Sequence, residues 1–398
     1  MRMVQIASDA PPARLIASMP PPDYLPSHRS RSASELPRVI AMAPCEHPYL
    51  AAFYDSCRSE GMTIIQGMLA GRWLAANVRA GDVLHWHWPG LDYLHTNPLI
   101  ASVRFIRLAA LMLAMRLRGA RIVWTAHNLY PHDPAWLPGL DRWARRFVVA
   151  ISEHVFVHGP AAARQVAERL KVPTSKLVII EHGHWIGRFP DSADPATART
   201  RLQLPQKADV VLFIGLCKPY KNVLALIDAF STLDKDTPPG TRERVLVIAG
   251  AFQDPHYQAT VEAAVAAVPN VRLVPGYVPE NELQWYFAAA DAVVLPYREI
   301  LTSGAVMLAL GFGRPVVAPR LGGLVDAIDD QSGILYEPGN PSALVEAIRE
   351  SLRRKWSADR IRDQARRFSW QRAAMTYAAV LRTPSHRGAS ASQRPKTG

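Results

Sequence analysis

The sequence alternates short apolar runs with longer helix-forming segments, and this alternation limits the folds open to the chain. A clear unit spans residues 288–319: an apolar run closed by a proline, a Thr-Ser-Gly turn, helix formers at 305–310 and a second apolar run. Parallel strands need long crossover connections, and helices supply these on both faces of a sheet. The alternation therefore predicts an α/β protein with doubly wound parallel sheets.

A polar segment rich in proline and alanine, residues 191–207, divides the alternation into two halves and is a predicted linker. A chain of 398 residues is too long for one typical core. We therefore expect a first domain at 37–190 and a second at 208–369. The Pro-, Ser- and Arg-rich segment 1–36 and the basic tail 385–398 are predicted to be disordered.

The predicted sheets also indicate where a ligand would bind. In open α/β sheets, ligands bind beyond the carboxyl ends of the strands. We expect two similar domains that face each other across a cleft, so that two such edges form one site.

The cysteines and the N-terminal residues indicate the cellular compartment in which the protein is expected. Cys45, Cys57 and Cys217 have no paired spacing and no Cys/His cluster, which predicts a reducing compartment and no structural zinc. The N-terminal residues lack an apolar core, so we expect no signal peptide. No stretch is expected to reach the ~20 apolar residues that span a bilayer. A cytoplasmic protein is therefore predicted.

The net charge of +12 is unevenly distributed, with eight arginines between residues 103 and 147. Residues 104–118, RFIRLAALMLAMRLR, form a predicted helix with an apolar middle and arginine at both ends. Such a helix can lie in a membrane interface and attract anionic lipid. The alternative is a core helix of an α/β domain with solvated ends. Nucleic acid is not a predicted partner, because aromatic residues are not interleaved and no nucleic-acid motif occurs.

Two lysines follow the first predicted strand of the second domain. Lys218 and Lys221 are three positions apart and precede a helix. Each offers a compact positive charge, and the helix N-terminus adds its dipole, which together suit a diphosphate. The alternative is a pair of solvated surface lysines. If the lysines and the dipole carry the charge, the site needs no metal.

The Thr-Ser-Gly turn at 302–304 is a second possible anion site. Ser303 can cap the following helix or donate to a phosphate, and Gly304 lets the backbone approach a ligand closely. The alternative is an ordinary capped helix. Neither turn has the GxxxxGK[ST] pattern, and no GxGxxG follows the first strand, so we expect neither a P-loop nor a dinucleotide cofactor.

Histidines crowd the predicted strand ends of the first domain. His127 directly follows a strand, and its imidazole could accept a proton from a hydroxyl or hold a hydroxyl in place. The alternative is a structural turn histidine. Glu46, in the loop after the first strand, is a second candidate base. His85 and His87 share one face of a strand, but packed histidines are commoner than metal ligands, and no metal is predicted.

The span 37–381 resembles the GT-B glycosyltransferases, and its second half resembles their family 4 members. The resemblance implies two Rossmann-like domains facing across a cleft, with the last helix, at 370–383, completing the first domain. Lys218 and Lys221 match the basic pair that holds the donor diphosphate in that family. Tyr277 and Val278, in the sequence GYVP, match the loop that contacts the nucleotide base.

The chain departs from the retaining members of family 4. Those enzymes carry two glutamates eight positions apart, and Ile300 and Leu308 stand at these positions here. A closer resemblance is to the family of the β-mannosyltransferase of xanthan assembly, which lacks the glutamate pair. The motifs that carry it lie at residues 47–50, 82–89, 125–129, 182–185 and 302–304.

This second resemblance implies an inverting transfer of mannose from GDP-mannose to a polyprenyl-diphosphate-linked oligosaccharide in exopolysaccharide biosynthesis. It also implies a peripheral enzyme on the inner face of the plasma membrane, bound to an anionic surface. Two alternatives stay open. One is a retaining family 4-type transferase that uses another nucleotide sugar. The other is a non-catalytic protein that binds nucleotide sugar or lipid within the assembly complex.

Overall fold

The structure is a computed structural model that describes residues 36–130, 138–235 and 242–383. The predicted disordered segment 1–36, apart from Leu36, and the predicted tail 385–398 lie outside the described residues. The chain divides into two compact units.

We name the two units by their position in the chain. The N-terminal unit runs to Val157 and also contains Val166–Ile180 and the chain from Trp370 onward. The C-terminal unit contains His158–Gln165 and Glu181–Ser369. The domain boundaries at 190 and 208 stay predictions.

The N-terminal unit is built on a six-stranded parallel sheet with the order β2-β1-β3-β4-β5-β6. Its strands are β1 (Val39–Met42), β2 (Ile64–Gln66), β3 (Val83–Trp86), β4 (Arg121–Thr125), β5 (His154–Val157) and β6 (Leu177–Ile179). The helices that connect them are α1 (Pro48–Ser59), α2 (Gly71–Asn77), α3 (Pro98–Leu117), α4 (Pro138–Ile151) and α5 (Pro160–Leu170). The strands are short and apolar because helices cover both faces of such a sheet.

Helix α3 corrects the expectation that no stretch reaches membrane-spanning length. By length and composition alone, its 20 residues could cross a membrane. In the structure, however, α3 is the crossover between the neighbouring parallel strands β3 and β4. Two of its own side chains, Leu108 and Met112, are fully buried. The helix therefore packs as part of the α/β unit and leaves its other face exposed.

The C-terminal unit has a second six-stranded parallel sheet, with the order β12-β11-β10-β7-β8-β9. Its strands are β7 (Asp209–Ile214), β8 (Arg244–Gly250), β9 (Val271–Pro275), β10 (Ala292–Val294), β11 (Val316–Pro319) and β12 (Gly333–Tyr336). Its helices are α6 (Pro195–Arg201), α7 (Val223–Lys235), α8 (Pro255–Ala266), α9 (Leu283–Ala289), α10 (Gly304–Gly311), α11 (Leu324–Ala327), α12 (Pro341–Arg353) and α13 (Ala358–Arg366). Strands that run outward in both directions from the first one form the doubly wound Rossmann arrangement.

The segment 191–207, predicted as a linker, contains helix α6. Arg199 on this helix donates to the Asp291 carboxylate over 2.8 Å and to the Ala289 carbonyl over 3.2 Å. Ala289 is the last residue of α9, and Asp291 lies between α9 and β10, so α6 is packed within the C-terminal unit.

The last helix, α14 (Trp370–Arg382), belongs to the N-terminal unit and packs on α1. The Tyr377 ring lies 5.3 Å from the Phe53 ring, and Arg121 donates to the Leu381 carbonyl over 2.6 Å. These contacts attach the end of the described chain to the first sheet. The predicted fold class, two doubly wound parallel α/β domains, is thus confirmed for each unit by itself.

Candidate functional site

The predicted donor residues lie at the carboxyl edge of the sheet in the C-terminal unit. Residues 218–221 follow β7, residues 277–278 follow β9, and residues 303–304 follow β10. Strand β7 lies between β10 and β8, so the connections after β7 and β10 flank the point where the strand order reverses. Ligands of doubly wound sheets bind at this switch point.

Both lysines of the predicted diphosphate site are buried. The exposed fractions of Lys218 and Lys221 are 4% and 5%, so the alternative of a solvated surface pair is wrong. The Lys221 ammonium lies 5.6 Å from the Tyr297 ring centroid and 5.9 Å from that of Tyr220. Burying an ammonium costs free energy unless negative charge or aromatic faces offset the lost hydration. Two buried ammonium groups at a sheet edge therefore suit an anionic ligand.

The N-terminus of α10 carries the second predicted anion site. Ser303 is the N-cap residue, but its side chain makes no capping hydrogen bond. Its hydroxyl instead lies 3.3 Å from the Tyr297 hydroxyl. The first N–H groups of a helix have no partner within the helix, and an anion can satisfy them. The structure therefore does not support Ser303 as an ordinary side-chain cap and leaves its predicted phosphate role open.

Tyr297 connects the two parts of this site. Its ring faces Lys221, and its hydroxyl reaches Ser303. Burial raises the pKa of Tyr297 to about 12, although the Ser303 contact opposes that shift. The phenol therefore stays protonated at neutral pH and can donate or accept a hydrogen bond.

The predicted base-binding residues lie in the loop after β9. Val278 is buried, and Tyr277 is half-buried. Burial raises the pKa of Tyr277 to about 12, and Glu280 adds to the shift. Within the described part of the chain, the buried Tyr277 hydroxyl has no hydrogen-bond partner. Buried polar groups are nearly always paired, so this hydroxyl is suited to contact a ligand.

The sequence interpretation missed the positions of His182 and Tyr297 in the donor region. A side-chain carbon added at Gly304 would lie 3.5 Å from His182 Nε2. Burial lowers the pKa of His182 to about 4, and its Nδ1 lies 3.1 Å from the Gly183 carbonyl oxygen. His182 is therefore neutral, with its proton on Nδ1, beside the start of α10. In the sequence, the motif at residues 182–185, which reads HGHW, was the signal for this histidine.

His127 lies half-buried in the N-terminal unit, directly after β4, as predicted. Its Nε2 lies 2.9 Å from His87 Nδ1. Its ring stacks on Trp88 with 4.7 Å between centroids, and the edge of Tyr49 approaches at 4.7 Å. The ring is thus held on three sides by aromatic groups.

Glu46, the other candidate base, is exposed in the turn between β1 and α1. Among the described residues, no hydrogen bond, ion pair or ring contact joins Glu46 to His127. The structure therefore does not bring the two candidate bases into contact. Within residues 36–130, 138–235 and 242–383, no group of three or more His, Cys, Asp or Glu residues could hold a metal ion. Metal-free chemistry stays a prediction.

Comparison with known proteins decides the family. A family profile described as "Glycosyl transferases group 1" matches residues 208–354. A D-inositol 3-phosphate glycosyltransferase of Salinispora tropica is 31% identical over 378 residues, which cover 86% of this chain and 73% of that protein. The chain belongs to the group 1 glycosyltransferases. A GDP-mannose:glycolipid 4-beta-D-mannosyltransferase of Xanthomonas campestris pv. campestris is 27% identical over 336 residues, covering 81% of this chain and 86% of that protein.

Solved structures agree on the fold of this glycosyltransferase. Sucrose-phosphate synthase from Thermosynechococcus elongatus matches with a TM-score of 0.64 and 17% identity, covering 90% of this chain and 97% of its own. The Anabaena protein HepE in complex with UDP-glucose matches with a TM-score of 0.60 and 14% identity, covering 90% of this chain and 100% of its own. These likenesses confirm the predicted GT-B fold. The profile match includes all six predicted donor residues of the glycosyltransferase.

Proposed function

We propose that this glycosyltransferase transfers mannose from GDP-mannose, with inversion, to a lipid-linked oligosaccharide in exopolysaccharide biosynthesis. The observation that carries the donor part is the buried pair Lys218 and Lys221 beside Tyr297 and the start of α10. The names of relatives support the rest. The Xanthomonas relative is named for GDP-mannose and a glycolipid, and a structural neighbour was solved with UDP-glucose.

The donor site would act on the leaving group. As the bond between the anomeric carbon and the diphosphate breaks, negative charge grows on the departing phosphate oxygen. The Lys218 and Lys221 ammonium groups and the N–H groups that begin α10 would stabilise that charge, which is commonly the largest electrostatic contribution to catalysis. Tyr277 and Val278 are proposed to contact the nucleotide base.

The acceptor hydroxyl would attack the anomeric carbon from the side opposite the diphosphate. Its oxygen forms the new bond while the electron pair of the broken bond leaves with the nucleoside diphosphate. His127 is proposed to take the hydroxyl proton, since an imidazole titrates close to neutral pH. A single displacement inverts the anomeric centre. Ile300 and Leu308 support this reading, because neither position offers a carboxylate.

The protein is also proposed to bind the anionic inner face of the plasma membrane, where a polyprenyl-linked acceptor would be found. Apolar side chains recur along α3 at spacings of four, three, seven and four residues, and their exposed fractions lie between 49% and 79%: Leu99, Val103, Ile106, Leu113 and Leu117. We call these five residues the α3 stripe. Trp143 on α4 is also exposed, and Arg146 lies over its ring. Exposed arginines beside an apolar stripe suit anionic lipid headgroups.

The donor and acceptor can be tested by transfer of radiolabelled sugar to a membrane lipid extract of the native host. Several nucleotide sugars are supplied separately to the wild-type protein, to Lys221→Ala and to Lys207→Ala, whose lysine is exposed in the same unit. We expect label from GDP-mannose alone, at least ~100-fold slower transfer with Lys221→Ala, and unchanged transfer with Lys207→Ala.

Each other outcome has a defined meaning. Label from another nucleotide sugar would contradict the mannose assignment and keep the transferase. A retained anomeric configuration in the product would favour the family 4-type retaining alternative. Binding of nucleotide sugar without transfer from any donor would favour the non-catalytic alternative.

The membrane surface can be tested by flotation with vesicles. We expect the protein to float with vesicles that contain phosphatidylglycerol and to bind pure phosphatidylcholine vesicles more weakly. Ile106→Glu with Leu113→Glu should weaken binding at least ~10-fold, because both changes place charge in the α3 stripe. Met375→Glu, at an exposed apolar position of α14, is the matched control. Equal binding by the α3 variant and the control would contradict the proposal.

A further inference from the structure

Arg298 connects the two loops that carry the predicted diphosphate residues. Its backbone N–H donates to the Tyr220 carbonyl over 2.8 Å, and its Nε donates to Asn222 Oδ1 over 2.8 Å. Tyr220 and Asn222 lie in the loop after β7, on either side of Lys221, and Arg298 follows Tyr297 in the loop after β10. These loops flank the switch point of the sheet, so the Arg298 guanidinium is anchored where a ligand is expected.

Asn222 holds the Arg298 side chain from a backbone conformation that few residues adopt. It follows the short 3-10 turn Pro219–Lys221 with φ 60° and ψ 38°, in the left-handed region. Asparagine tolerates this region better than most non-glycine residues. Such conformations cost free energy and cluster at functional sites, where the surrounding structure imposes them. The amide oxygen that anchors Arg298 is therefore set in place by the backbone of the lysine loop.

The anchored guanidinium keeps most of its donors for a ligand. A guanidinium carries its N–H groups in a planar fork, and Asn222 accepts only the one on Nε. Among the described residues, neither Nη1 nor Nη2 of Arg298 has a hydrogen-bond or ion-pair partner. Arg298 is exposed, so these groups can meet a solute. A planar fork that is held at one end suits a bidentate contact with phosphate.

The charge balance of the two loops favours an anion. Residues 215–222 and 296–303 hold three cationic side chains, Lys218, Lys221 and Arg298, against one carboxylate, Glu299. Arg298 also acts on Tyr257, whose pKa burial raises and Arg298 lowers. Tyr257 lies on the helix after β8, so the charge of Arg298 is felt next to all three strands around the switch point. The excess positive charge suits the diphosphate of a nucleotide sugar.

We propose that Arg298 is a third cation of the donor diphosphate site and that Asn222 is the positioning residue that fixes its guanidinium. This inference rests on the proposed function and deepens it. Lys218 and Lys221 are buried, whereas the exposed Arg298 would bind the phosphate oxygens from the solvent side. When the bond to the anomeric carbon breaks, its electron pair ends on the departing phosphate oxygen, and the Arg298 N–H groups stabilise that charge. Arg298 gives up no proton, because a guanidinium stays protonated in proteins.

The alternative is that Arg298 only ties the two loops together. The backbone bond to the Tyr220 carbonyl does this with any side chain at position 298. A purely structural tie between the Arg298 side chain and Asn222 would change the stability of the unit. Its effect on ligand binding would not depend on whether the ligand carries phosphate.

The test therefore compares a nucleoside diphosphate with its nucleoside. GDP and UDP are first titrated into the full wild-type chain by calorimetry, and the one that binds more tightly is used for the variants. We expect Arg298→Gln to weaken its binding at least ~10-fold, because charge-assisted hydrogen bonds to phosphate are lost. Binding of the matching nucleoside, followed by ligand-detected nuclear magnetic resonance, should change less than ~2-fold, since a nucleoside has no phosphate. Arg298→Lys keeps the charge without the fork and should recover part of the affinity.

Arg353→Gln is the matched control. Arg353 is an exposed arginine of the same unit, at the last residue of α12. Helix α12 begins after the carboxyl end of β12, so its last turn lies toward the opposite edge of the sheet. This variant should bind the nucleoside diphosphate as the wild type does. Thermal unfolding checks that each variant is folded.

A double-variant cycle tests the role of Asn222. Asn222→Gly allows the same left-handed backbone and removes the amide oxygen. We expect ~3-fold weaker binding of the nucleoside diphosphate, because the guanidinium loses its anchor. In the presence of Arg298→Gln, the change Asn222→Gly should add no further loss, because Asn222 acts only through Arg298. Additive losses would overturn the positioning role.

Failure of the inference and failure of the proposed function can be told apart. Wild-type affinity in Arg298→Gln, in a protein that transfers sugar, would overturn the inference alone. An equal loss with the nucleoside would overturn it as well, because Arg298 would then act on the fold or on the base. Tighter binding of UDP would contradict the GDP-mannose assignment, and the same variants would then test Arg298 with UDP. A wild type that binds neither nucleotide would contradict the donor site as a whole, and the inference with it.

Discussion

The hydroxyl of Tyr297 lies 3.3 Å from the hydroxyl of Ser303. Tyr297, in the loop after β10, thus contacts the N-cap residue of helix α10. The change Tyr297→Phe keeps the ring beside Lys221 and removes only this contact. One hydrogen bond contributes about 1 kcal/mol, so we expect about fivefold weaker binding of a nucleoside diphosphate. Titration calorimetry with GDP measures this. Tyr336→Phe, on the edge strand β12, is the control, and equal affinities of the two variants would contradict the role of Tyr297.

Gly250 leaves room for the loop that carries the lysines. A side-chain carbon at Gly250 would lie 1.8 Å from the Gly215 carbonyl oxygen, so the Gly250→Ala variant must displace that backbone. We expect it to lose about 1–3 kcal/mol of stability, as overpacked sites do, and to bind GDP at least ~10-fold more weakly. Thermal unfolding and calorimetry measure the two effects.

The variant Gly187→Ala is a control that distinguishes the steric clash expected in Gly250→Ala from general backbone strain. Gly187 has a φ of +78° with nothing within 4 Å of its added side-chain carbon. Gly187→Ala should therefore destabilise the C-terminal unit through backbone strain, by about 1–2 kcal/mol, without weakening GDP binding. If Gly250→Ala binds GDP as well as Gly187→Ala does, the Gly215 loop does not form part of the donor site.

Local patterns in the sequence were sufficient for the fold and for the placement of the donor loops. Apolar runs followed by helix formers predicted β10 and α10, and the lysine pair lies after β7 as expected. The same patterns did not predict that the lysine pair is buried. A lysine pair before a helix looks the same whether it is solvated or covered, and the rings of Tyr220 and Tyr297 that cover Lys221 come from two different loops.

His85 and His87 show the same limit. Alternation along β3 predicted that His85 and His87 share a face, and their rings lie 4.1 Å apart. Tyr54 reaches them from α1, and Tyr377 reaches His85 from α14, 292 positions later in the sequence. No periodicity within one element reports a contact over that separation. Arginines interrupt the apolar run of α3, which explains why its spanning length was missed.

The stability of the N-terminal unit should depend on pH through His85. Burial lowers the pKa of folded His85 to about 3, whereas an unfolded histidine titrates near 6.5. Between these values the unfolded chain binds more protons, so the stability that neutral His85 contributes is present above pH ~6.5 and is lost as the pH falls. The His85→Gln variant lacks this pH-dependent contribution, because glutamine does not titrate. The stability difference between wild type and variant should therefore shrink by about 1 kcal/mol between pH 7.5 and 5.5.

Urea unfolding at the two pH values measures that difference. The comparison cancels the contribution of Asp92, whose pKa burial raises to about 7 and whose effect on stability has the opposite sign. It also cancels the contribution of His182, whose pKa burial lowers as well. A difference that stays constant or grows at low pH would contradict the assignment to His85.

A buried ion pair joins the amino ends of β1 and β3. Arg38 Nε donates to Asp82 Oδ1 over 3.0 Å, Arg38 Nη2 donates to Asp82 Oδ2, and the Arg79 N–H donates to the same carboxylate over 2.8 Å. Removing one partner leaves the other charge buried without compensation. We therefore expect Asp82→Asn and Arg38→Met each to cost about 3–5 kcal/mol of unfolding free energy.

The double variant Arg38→Met with Asp82→Leu buries no charge, so its cost should be well below the sum of the two single changes. Asp55→Asn, which breaks the exposed pair with Arg58, should cost less than about 1 kcal/mol. Urea unfolding followed by tryptophan fluorescence measures all four variants, and GDP binding should not change in any of them, because the donor residues lie in the C-terminal unit. Additive losses in the double variant would show that the pair stabilises the unit through something other than mutual neutralisation.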